Sequence, residues 1–254
     1  MRVKVCGCYG GETASTALTG FVINEALAID AGSLTRTLSL DDQLKIRNVL
    51  ITHTHLDHIK DLAFLADNVI GLKEGAITIW GIQATIDVIR GHLMNDKIWP
   101  DFSKLPTPEK PTVQFRAIEE GKTFQVEDYE CLAIRTNHPV PNSGYLIRDR
   151  KGTFCFSGDT GVTEKLWAAI NERKDMIGLI TEVSFPNNMD WLAEVSGHLT
   201  PKRLKTQVDQ LKGRKYPLFL SHMKPNFVDV LQKEVAAEGI KDYRILKVGE
   251  VLDL

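Results

Sequence analysis

Residues 48–58 read Asn-Val-Leu-Ile-Thr-His-Thr-His-Leu-Asp-His, an apolar run followed by three histidines and an aspartate. The apolar run is typical of a short strand that is buried on both faces. Side chains two residues apart at the end of a strand point to the same side, so His53 and His55 can share one metal ion. Asp57 and His58 begin the helix that the next apolar residues predict, and they can reach a second metal ion. Imidazole and carboxylate groups are ordinary ligands of zinc and similar metals, so this stretch predicts a metal site rather than a solvated turn.

Further candidate ligands stand after predicted buried strands elsewhere in the chain, namely His138, Asp159 and His222. A single polar residue at a strand end is more often a hydrogen-bonded structural residue than a metal ligand. All three follow buried strands, however, so we expect them to converge on one edge of the sheets and to complete the metal site. Glu182 also ends a predicted buried strand and is a candidate for bracing that site.

Strand patterns lead the sequence, and helical patterns are interspersed among them without a linker or an internal repeat. The helical patterns cover residues 56–68, 83–94, 165–171, 201–211 and 226–238. This alternation predicts one domain over residues 1–254, with an α+β arrangement of two sheets covered by helices on their outer faces.

The composition excludes several classes of protein. The 254 residues are 43% hydrophobic and 25% charged, which excludes a disordered chain, a collagen-like chain and a coiled coil. Lys and Arg number 31 against 33 Asp and Glu, a formal charge of −2, so there is no basic surplus for a nucleic acid or an anionic membrane.

The four cysteines include no CxxC pair, which argues against a disulfide framework or a thiolate zinc site. No apolar run approaches the ~18 residues of a membrane span, and the first residues lack the apolar stretch of a signal peptide, so we expect a cytoplasmic protein.

The HxHxDH motif at residues 53–58 and the downstream ligands resemble the metallo-β-lactamase superfamily over essentially the whole chain. The resemblance implies an αββα sandwich, with two mixed sheets face to face, helices on the outer faces and a dinuclear site at one edge. It implies two divalent metal ions, with zinc expected and manganese or iron suited to the same ligands. It assigns one ion to His53, His55 and His138, the other to Asp57, His58 and His222, and a bridging position to Asp159. Asp30 is expected to orient a ligand histidine through its second ring nitrogen, the alternative being a turn-forming aspartate.

Four segments narrow the resemblance to the class II cyclic-nucleotide phosphodiesterases. They read His-Leu-Asp-His-Ile at 55–59, Asn-Asp-Lys-Ile-Trp-Pro at 95–100, Thr-Glu-Val-Ser-Phe at 181–185 and Gly-His-Leu-Thr-Pro at 197–201. The chain departs from that family after the metal motif, where Lys60-Asp61 stands in place of a small residue and a glycine or serine. The narrower resemblance implies hydrolysis of 3′,5′-cyclic AMP or GMP to the 5′-monophosphate by a metal-bridging hydroxide.

His198 and Asp57 are the candidate catalytic residues. By the same resemblance, His198 contacts the scissile phosphate and protonates the leaving 3′-oxygen, and its place before a predicted helix start suits an anion. Trp99, Asn142 and Ser143 are candidates for substrate contacts. Trp99 can stack on a base, although a core or subunit contact fits it equally well, and Asn142 and Ser143 fit a turn.

Three other functions use the same ligands. Another dinuclear hydrolase of this fold would act on RNA 3′ ends, thioesters or lactams, although no basic arm for RNA is visible. A di-iron protein that binds oxygen is the second, although such relatives usually carry Glu where His55 stands and a flavin domain is absent. A binding module without catalytic activity is the third, and the complete ligand set argues against it.

The expected partner is a small-molecule phosphodiester, with no membrane and no nucleic acid, and a homodimer is consistent with the relatives.

Overall fold

Sixteen strands and eight α-helices alternate along the chain in a computed structural model that describes residues 1–254. The strands are β1 (Arg2–Gly7), β2 (Gly20–Ile23), β3 (Leu27–Ile29), β4 (Asn48–Leu50), β5 (Ile77–Ile82), β6 (Pro106–Thr107), β7 (Lys110–Pro111), β8 (Val113–Ile118), β9 (Thr123–Val126), β10 (Tyr129–Arg135), β11 (Ser143–Asp149), β12 (Gly152–Phe156), β13 (Met176–Glu182), β14 (Leu218–Ser221), β15 (Tyr243–Ile245) and β16 (Val251–Asp253). The α-helices are α1 (Leu34–Thr37), α2 (Leu40–Lys45), α3 (Leu56–Val69), α4 (Gln83–Val88), α5 (Lys165–Asn171), α6 (Asp190–Ser196), α7 (Pro201–Val208) and α8 (Val228–Ala237). One π-helical turn covers Ile89–Leu93, and 3₁₀ turns cover Asn187–Met189 and Pro225–Phe227. The elements form two units, the first holding residues 1–7, 17–119 and 248–253 and the second holding residues 8–16, 120–247 and 254.

The first unit is built on a seven-stranded mixed sheet in the order β16-β1-β2-β3-β4-β5-β8. The strands from β16 to β3 pair antiparallel, whereas β3, β4, β5 and β8 pair in parallel. The inner strand β4 is fully buried, as its apolar sequence predicts. Because β3 and β4 run in parallel, their carboxyl ends meet at one edge of the sheet, which places Asp30 beside the start of the histidine motif.

Helix α3 is fixed to the first unit by its apolar face. Ile59, Leu62 and Leu65 are buried in the core of this unit, and each such side chain contributes roughly 1.5–3 kcal/mol when it is removed from water. Asp61 is also buried, and its Oδ2 accepts hydrogen bonds from the backbone N–H and the hydroxyl of Thr35, each at 2.8 Å. The Lys60-Asp61 departure from the phosphodiesterase pattern therefore supplies a carboxylate that anchors helix α1.

The second unit is built on another seven-stranded mixed sheet, in the order β15-β14-β13-β12-β11-β10-β9. The strands from β9 to β12 pair antiparallel, and those from β12 to β15 pair in parallel. It follows that β10, β12, β13 and β14 all end at the same edge. His138, Asp159, Glu182 and His222 lie at or just beyond these strand ends, as expected from the sequence.

Some elements differ from the sequence-based expectation. The helix predicted over residues 83–94 is α-helical only to Val88 and continues as the π-helical turn to Leu93. Helices α1, α2 and α6 were not predicted. None of the helices combines the length and the apolar character that crossing a membrane requires. The single domain over residues 1–254 stays a prediction.

Candidate metal centre

A buried carboxylate, Asp30, organises the candidate ligands of the first unit. Its Oδ1 accepts a hydrogen bond from the backbone N–H of Thr52 at 2.8 Å, and its Oδ2 accepts one from the Thr52 hydroxyl at 2.9 Å. The same Oδ2 lies 2.7 Å from Nδ1 of His58. Burial raises the pKa of Asp30, an effect that the contacts to His58 and Thr52 oppose. Asp30 thus ties the chain after β4 to the first turn of α3.

Close backbone packing holds this arrangement. The N–H of Ala31 donates to the carbonyl of His58 at 2.7 Å. A Cβ atom added to Gly32 would lie 2.0 Å from the carbonyl oxygen of Asp57, so only glycine permits this approach. The loop after β3 therefore presses directly on the residues that begin α3.

Hydrogen bonds decide which nitrogen of each histidine remains to bind a metal ion. The Nδ1–H of His58 donates to the Asp30 carboxylate, so Nε2 keeps the lone pair. The hydroxyl of Thr52 donates its one proton to Asp30, so it accepts from the Nδ1–H of His53 at 3.0 Å. The Nε2 atom of His53 is then a lone-pair donor as well.

The donors of the first unit suit a divalent metal ion. The ring centroid of His53 lies 4.6 Å from that of His55 and 4.1 Å from that of His58. The Asp57 carboxylate lies 3.8 Å from Nε2 of His58. Protonated imidazoles at this separation would repel one another, whereas neutral imidazoles beside a carboxylate are the donor set of zinc and similar ions.

The imidazole ring of His222, in the second unit, is held in the same way as the rings of His53 and His58, with a hydrogen-bond partner at Nδ1. Its Nε2 lies 3.1 Å from Oδ2 of Asp159, and both residues are buried. Its Nδ1 lies 3.0 Å from the hydroxyl of Ser184, which itself donates to Glu182 at 2.7 Å. Ser184 therefore accepts from the Nδ1–H of His222 and leaves Nε2 beside Asp159 as the ligand atom. A Cβ atom on Gly10 would come within 2.7 Å of the His222 ring, so this glycine lets the chain cover the imidazole.

His138 is oriented by the turn that ends α6. Its Nδ1 lies 3.0 Å from the carbonyl oxygen of Gly197, to which it donates, so its Nε2 is again the available donor. Gly197 has φ of 65°, and a Cβ atom there would lie 2.9 Å from the Cα of His138. Burial lowers the pKa of His138, which favours the neutral ring that a metal ion requires, although the negative Asp159 opposes this effect.

A buried ion pair lies beside these donors. Oε1 of Glu182 is 2.7 Å from Nδ1 of His198 and accepts from the N–H of Thr160 at 2.8 Å, while Oε2 accepts from the N–H of Leu199 at 3.1 Å. Burial opposes both charges, but the attraction between them outweighs it, so the pKa of His198 is raised and that of Glu182 is lowered. One ligand atom each of His138, Asp159 and His198 lies within 4.8 Å of the other two. The raised pKa favours the protonated ring of His198, whose Nε2–H would then lie next to candidate metal ligands.

A family model named Beta-lactamase superfamily domain matches residues 27–223, which is most of the chain. The chain belongs to the metallo-β-lactamase superfamily. Divalent metal ions are implied by this fold, in agreement with the donor sets above. The predicted superfamily is confirmed.

Two curated relatives of this superfamily member carry different names. The 3′,5′-cyclic-nucleotide phosphodiesterase 1 of Saccharomyces cerevisiae is 28% identical over 188 residues, 65% of this chain and 51% of the relative. A ribonuclease Z of Pyrococcus abyssi is 28% identical over 141 residues, 54% of this chain and 43% of the relative. The chain spans about half the length of the curated relatives that it matches. The family and these relatives support the prediction of a metal-dependent hydrolase.

The crystal structure of unliganded yeast PDE1 is similar to this superfamily member over 100% of this chain and 99% of that chain, with a TM-score of 0.82 and 20% sequence identity. This likeness shows the fold. The predicted α+β metallo-β-lactamase fold, with two mixed sheets and helices, is confirmed.

The three candidate substrate contacts have partners within the protein. The indole N–H of Trp99 donates to the carbonyl of Ala63 at 3.1 Å. Asn142 is buried and donates to the Thr136 hydroxyl at 2.9 Å and to the Asp159 carbonyl, while the Ser143 hydroxyl donates to Glu120 at 2.7 Å. These contacts hold the loops around the ligands, and substrate binding by these residues stays a prediction.

Two orienting residues had no predicted role, Thr52 and Ser184. Each places one hydroxyl between a carboxylate and a candidate ligand histidine. Only their positions in the sequence could have indicated these roles. Thr52 directly precedes the first histidine of the motif, and Ser184 stands two residues after Glu182.

Proposed function

We propose that this chain is a metal-dependent phosphodiesterase that hydrolyses 3′,5′-cyclic AMP or GMP to the 5′-monophosphate. The observation that carries the proposal is the Glu182–His198 pair, with 2.7 Å between the carboxylate and the ring, beside the histidine and aspartate donors. A lactam or thioester hydrolase has no need of this extra histidine, whereas a phosphodiester presents an anion to bind and an alkoxide to protonate.

We further propose that the chain binds two divalent metal ions through these donors. One ion would be held by His53, His55 and His138, the other by Asp57, His58 and His222, with Asp159 shared between them. Zinc is the proposed metal, because neutral imidazoles with a few carboxylates suit it, and manganese and iron accept the same ligands. When bound, such ions lower the pKa of a water molecule to near neutrality and neutralise charge on the phosphate.

His198 has two tasks in this reaction. Its Nε2–H donates a hydrogen bond to a phosphate oxygen of the bound diester. Water gives one proton to the solvent, and its oxygen bonds to phosphorus. As the bond from phosphorus to the 3′-oxygen breaks, the 3′-oxygen takes the electron pair of that bond and the proton of His198, and the ring then regains a proton from the solvent. Glu182 holds the ring in place through Nδ1 and stabilises its positive charge before the transfer.

The ribonuclease Z relative supports a second candidate, hydrolysis of a phosphodiester at the 3′ end of an RNA. The reacting group is the same, so His198 would act in the same way. The formal charge of −2 provides no basic surplus for an RNA backbone, which is why we favour the small diester.

The proposal is tested by release of 5′-AMP from 3′,5′-cyclic AMP, with bis(p-nitrophenyl) phosphate as a second substrate of the metal-loaded protein. His198→Ala is the test variant, and His92→Ala is the control, because His92 is an exposed histidine on the π-helical turn. We expect turnover of cyclic AMP that collapses in the first variant and persists in the second. Turnover of the artificial diester alone would exclude cyclic AMP. Turnover of neither, with metal bound, would contradict the proposed function.

A further inference from the structure

Lys224, in the loop after strand β14, carries a positive charge that no carboxylate of the protein balances. Its Nζ donates a hydrogen bond to the carbonyl of Gly10 at 2.8 Å, and it forms no ion pair. The residue is partly buried, so water stabilises its charge only in part. An anion would attract this ammonium group more strongly than a neutral carbonyl does, because opposite charges add a Coulomb energy.

The partner of Lys224 places its ammonium group beside a candidate metal ligand. Gly10, whose carbonyl accepts the hydrogen bond, packs on the imidazole of His222, where an added Cβ atom would lie 2.7 Å from Cε1. The ring of His222 in turn stacks on that of His198, with 5.3 Å between centroids and 19° between planes. A single glycine therefore separates the ammonium group from this pair of rings.

The other end of the loop lies beside His198 as well. Lys224 directly precedes the 3₁₀ turn Pro225–Phe227, and its carbonyl accepts from the N–H of Phe227 at 2.9 Å. The ring centroid of Phe185 lies 6.3 Å from that of Phe227 and 5.7 Å from that of His198. Both ends of the loop are thus fixed next to the ring that the proposed reaction uses.

The charges of Lys224 and His198 act on each other. Burial, and with it the positive charge of Lys224, oppose the rise in the pKa of His198 that Glu182 produces. Two cations that are close enough to interact repel one another, and an anion bound between them removes that repulsion. The loop therefore provides a second positive group for an anion that His198 binds.

We propose that Lys224 binds the phosphate of the substrate together with His198. This inference rests on the proposed phosphodiesterase function. A phosphodiester has two non-bridging oxygens that share one negative charge, so each of the two cations can donate to one oxygen. The ammonium group has three N–H donors, so it can bind the phosphate and keep its hydrogen bond to Gly10.

The test is calorimetric titration of inorganic phosphate into the metal-loaded protein. Lys224→Met removes the charge and keeps most of the length of the side chain. It should raise the Kd of phosphate by roughly 10-fold to roughly 100-fold, the range for one hydrogen bond between charged groups. Lys224→Arg should restore most of the affinity. Lys233→Met, which removes an exposed lysine of helix α8, is the control and should leave the Kd unchanged.

A purely structural role of Lys224 gives a different result. If the residue only held Gly10 on the ring of His222, Lys224→Met would weaken zinc binding in competition with a chromophoric chelator, and the Kd of phosphate for the metal-saturated variant would not change. Three outcomes would overturn the inference: this pattern, a loss of zinc affinity as large as the loss of phosphate affinity, or no binding of phosphate by the unmodified protein.

A separate measurement distinguishes this inference from the proposed function. Turnover of cyclic AMP and of bis(p-nitrophenyl) phosphate is recorded for the unmodified, metal-loaded protein. Absence of turnover, with phosphate binding that Lys224→Met weakens, would contradict the proposed function and support the anion site. Turnover with phosphate binding that Lys224→Met leaves unchanged would support the function and overturn the role of Lys224.

Discussion

Replacing Glu182 by glutamine separates a positioning role of this residue from a purely structural one. Glu182 is buried, and four donors converge on its two oxygens: the N–H groups of Thr160 and Leu199, the Ser184 hydroxyl and the His198 ring. Glutamine has the same shape, but its NH₂ group cannot accept a hydrogen bond and its charge is zero. The substitution therefore leaves two donors without an acceptor and removes the negative charge beside His198.

The magnitude follows from these contacts. Each buried donor that loses its acceptor costs about 1–3 kcal/mol, so we expect Glu182→Gln to lower the free energy of unfolding by about 2–6 kcal/mol. Its effect on activity comes from His198, which is no longer held as a cation. General acid catalysis contributes about 10²–10⁴ in rate, so kcat for cyclic AMP should fall by at least about 100-fold.

The assay compares two leaving groups. The 3′-alkoxide of cyclic AMP needs a proton as it leaves, whereas p-nitrophenolate leaves without one, so kcat for bis(p-nitrophenyl) phosphate should fall less than about 10-fold. Activities are measured well below the melting temperature of the variant, with circular dichroism to verify folding. Glu194→Gln is the control, because Glu194 is an exposed carboxylate whose partner is Arg203. Equal losses of kcat on both substrates, or an unchanged kcat for cyclic AMP, would refute the assigned role.

Three further changes test other parts of the structure. Asp30→Asn should weaken metal binding by about 10–100-fold in competition with a chromophoric chelator, because the charge that orients the ligand histidines is lost; unchanged affinity would contradict this role. Gly197→Ala should lower the free energy of unfolding by more than about 1 kcal/mol in urea titrations, because the new Cβ atom would meet His138 and because residue 197 has φ of 65°. An unchanged free energy of unfolding would argue against the packing described. Hydrogen bonding to Arg203 lowers the pKa of Asp190 below 3.8, so its contribution is present above the unfolded-state pKa and is lost as the pH falls through the lower folded-state pKa. Asp190→Asn should therefore cost no more than about 1 kcal/mol near pH 7 and nothing in strong acid, whereas a cost that grows on acidification would contradict the pairing.

Much of the first unit's ligand arrangement followed from local sequence. The apolar residues after Asn48 are predicted as a buried strand, and Leu56–Asn68 is predicted as a helix, against an observed helix Leu56–Val69. The histidine motif between them therefore had to lie at a strand-to-helix turn. The helix predicted over residues 165–171 also has its predicted bounds, because polar or turn residues border it on both sides.

Other parts of the fold depend on contacts that periodicity does not reveal. Helix α6 has its apolar Trp191 and Val195 on the solvent side, so its sequence lacks the amphipathic pattern of a helix packed on a core. The π-helical turn at Ile89–Leu93 changes the hydrogen-bond spacing within an otherwise helical pattern. The roles of Thr52 and Ser184 require knowing which carboxylate and which histidine lie on either side of one hydroxyl, and that is a property of the folded chain.

The proposed function requires that this chain hydrolyse a cyclic nucleotide with two bound metal ions. The most direct measurement titrates metal-free protein with Zn²⁺ and records both metal binding and release of 5′-AMP from 3′,5′-cyclic AMP. We expect no turnover without metal, and turnover that rises until about two ions are bound per chain. Two bound ions without hydrolysis of cyclic AMP, or hydrolysis that is equally fast in the presence of a strong chelator, would contradict it.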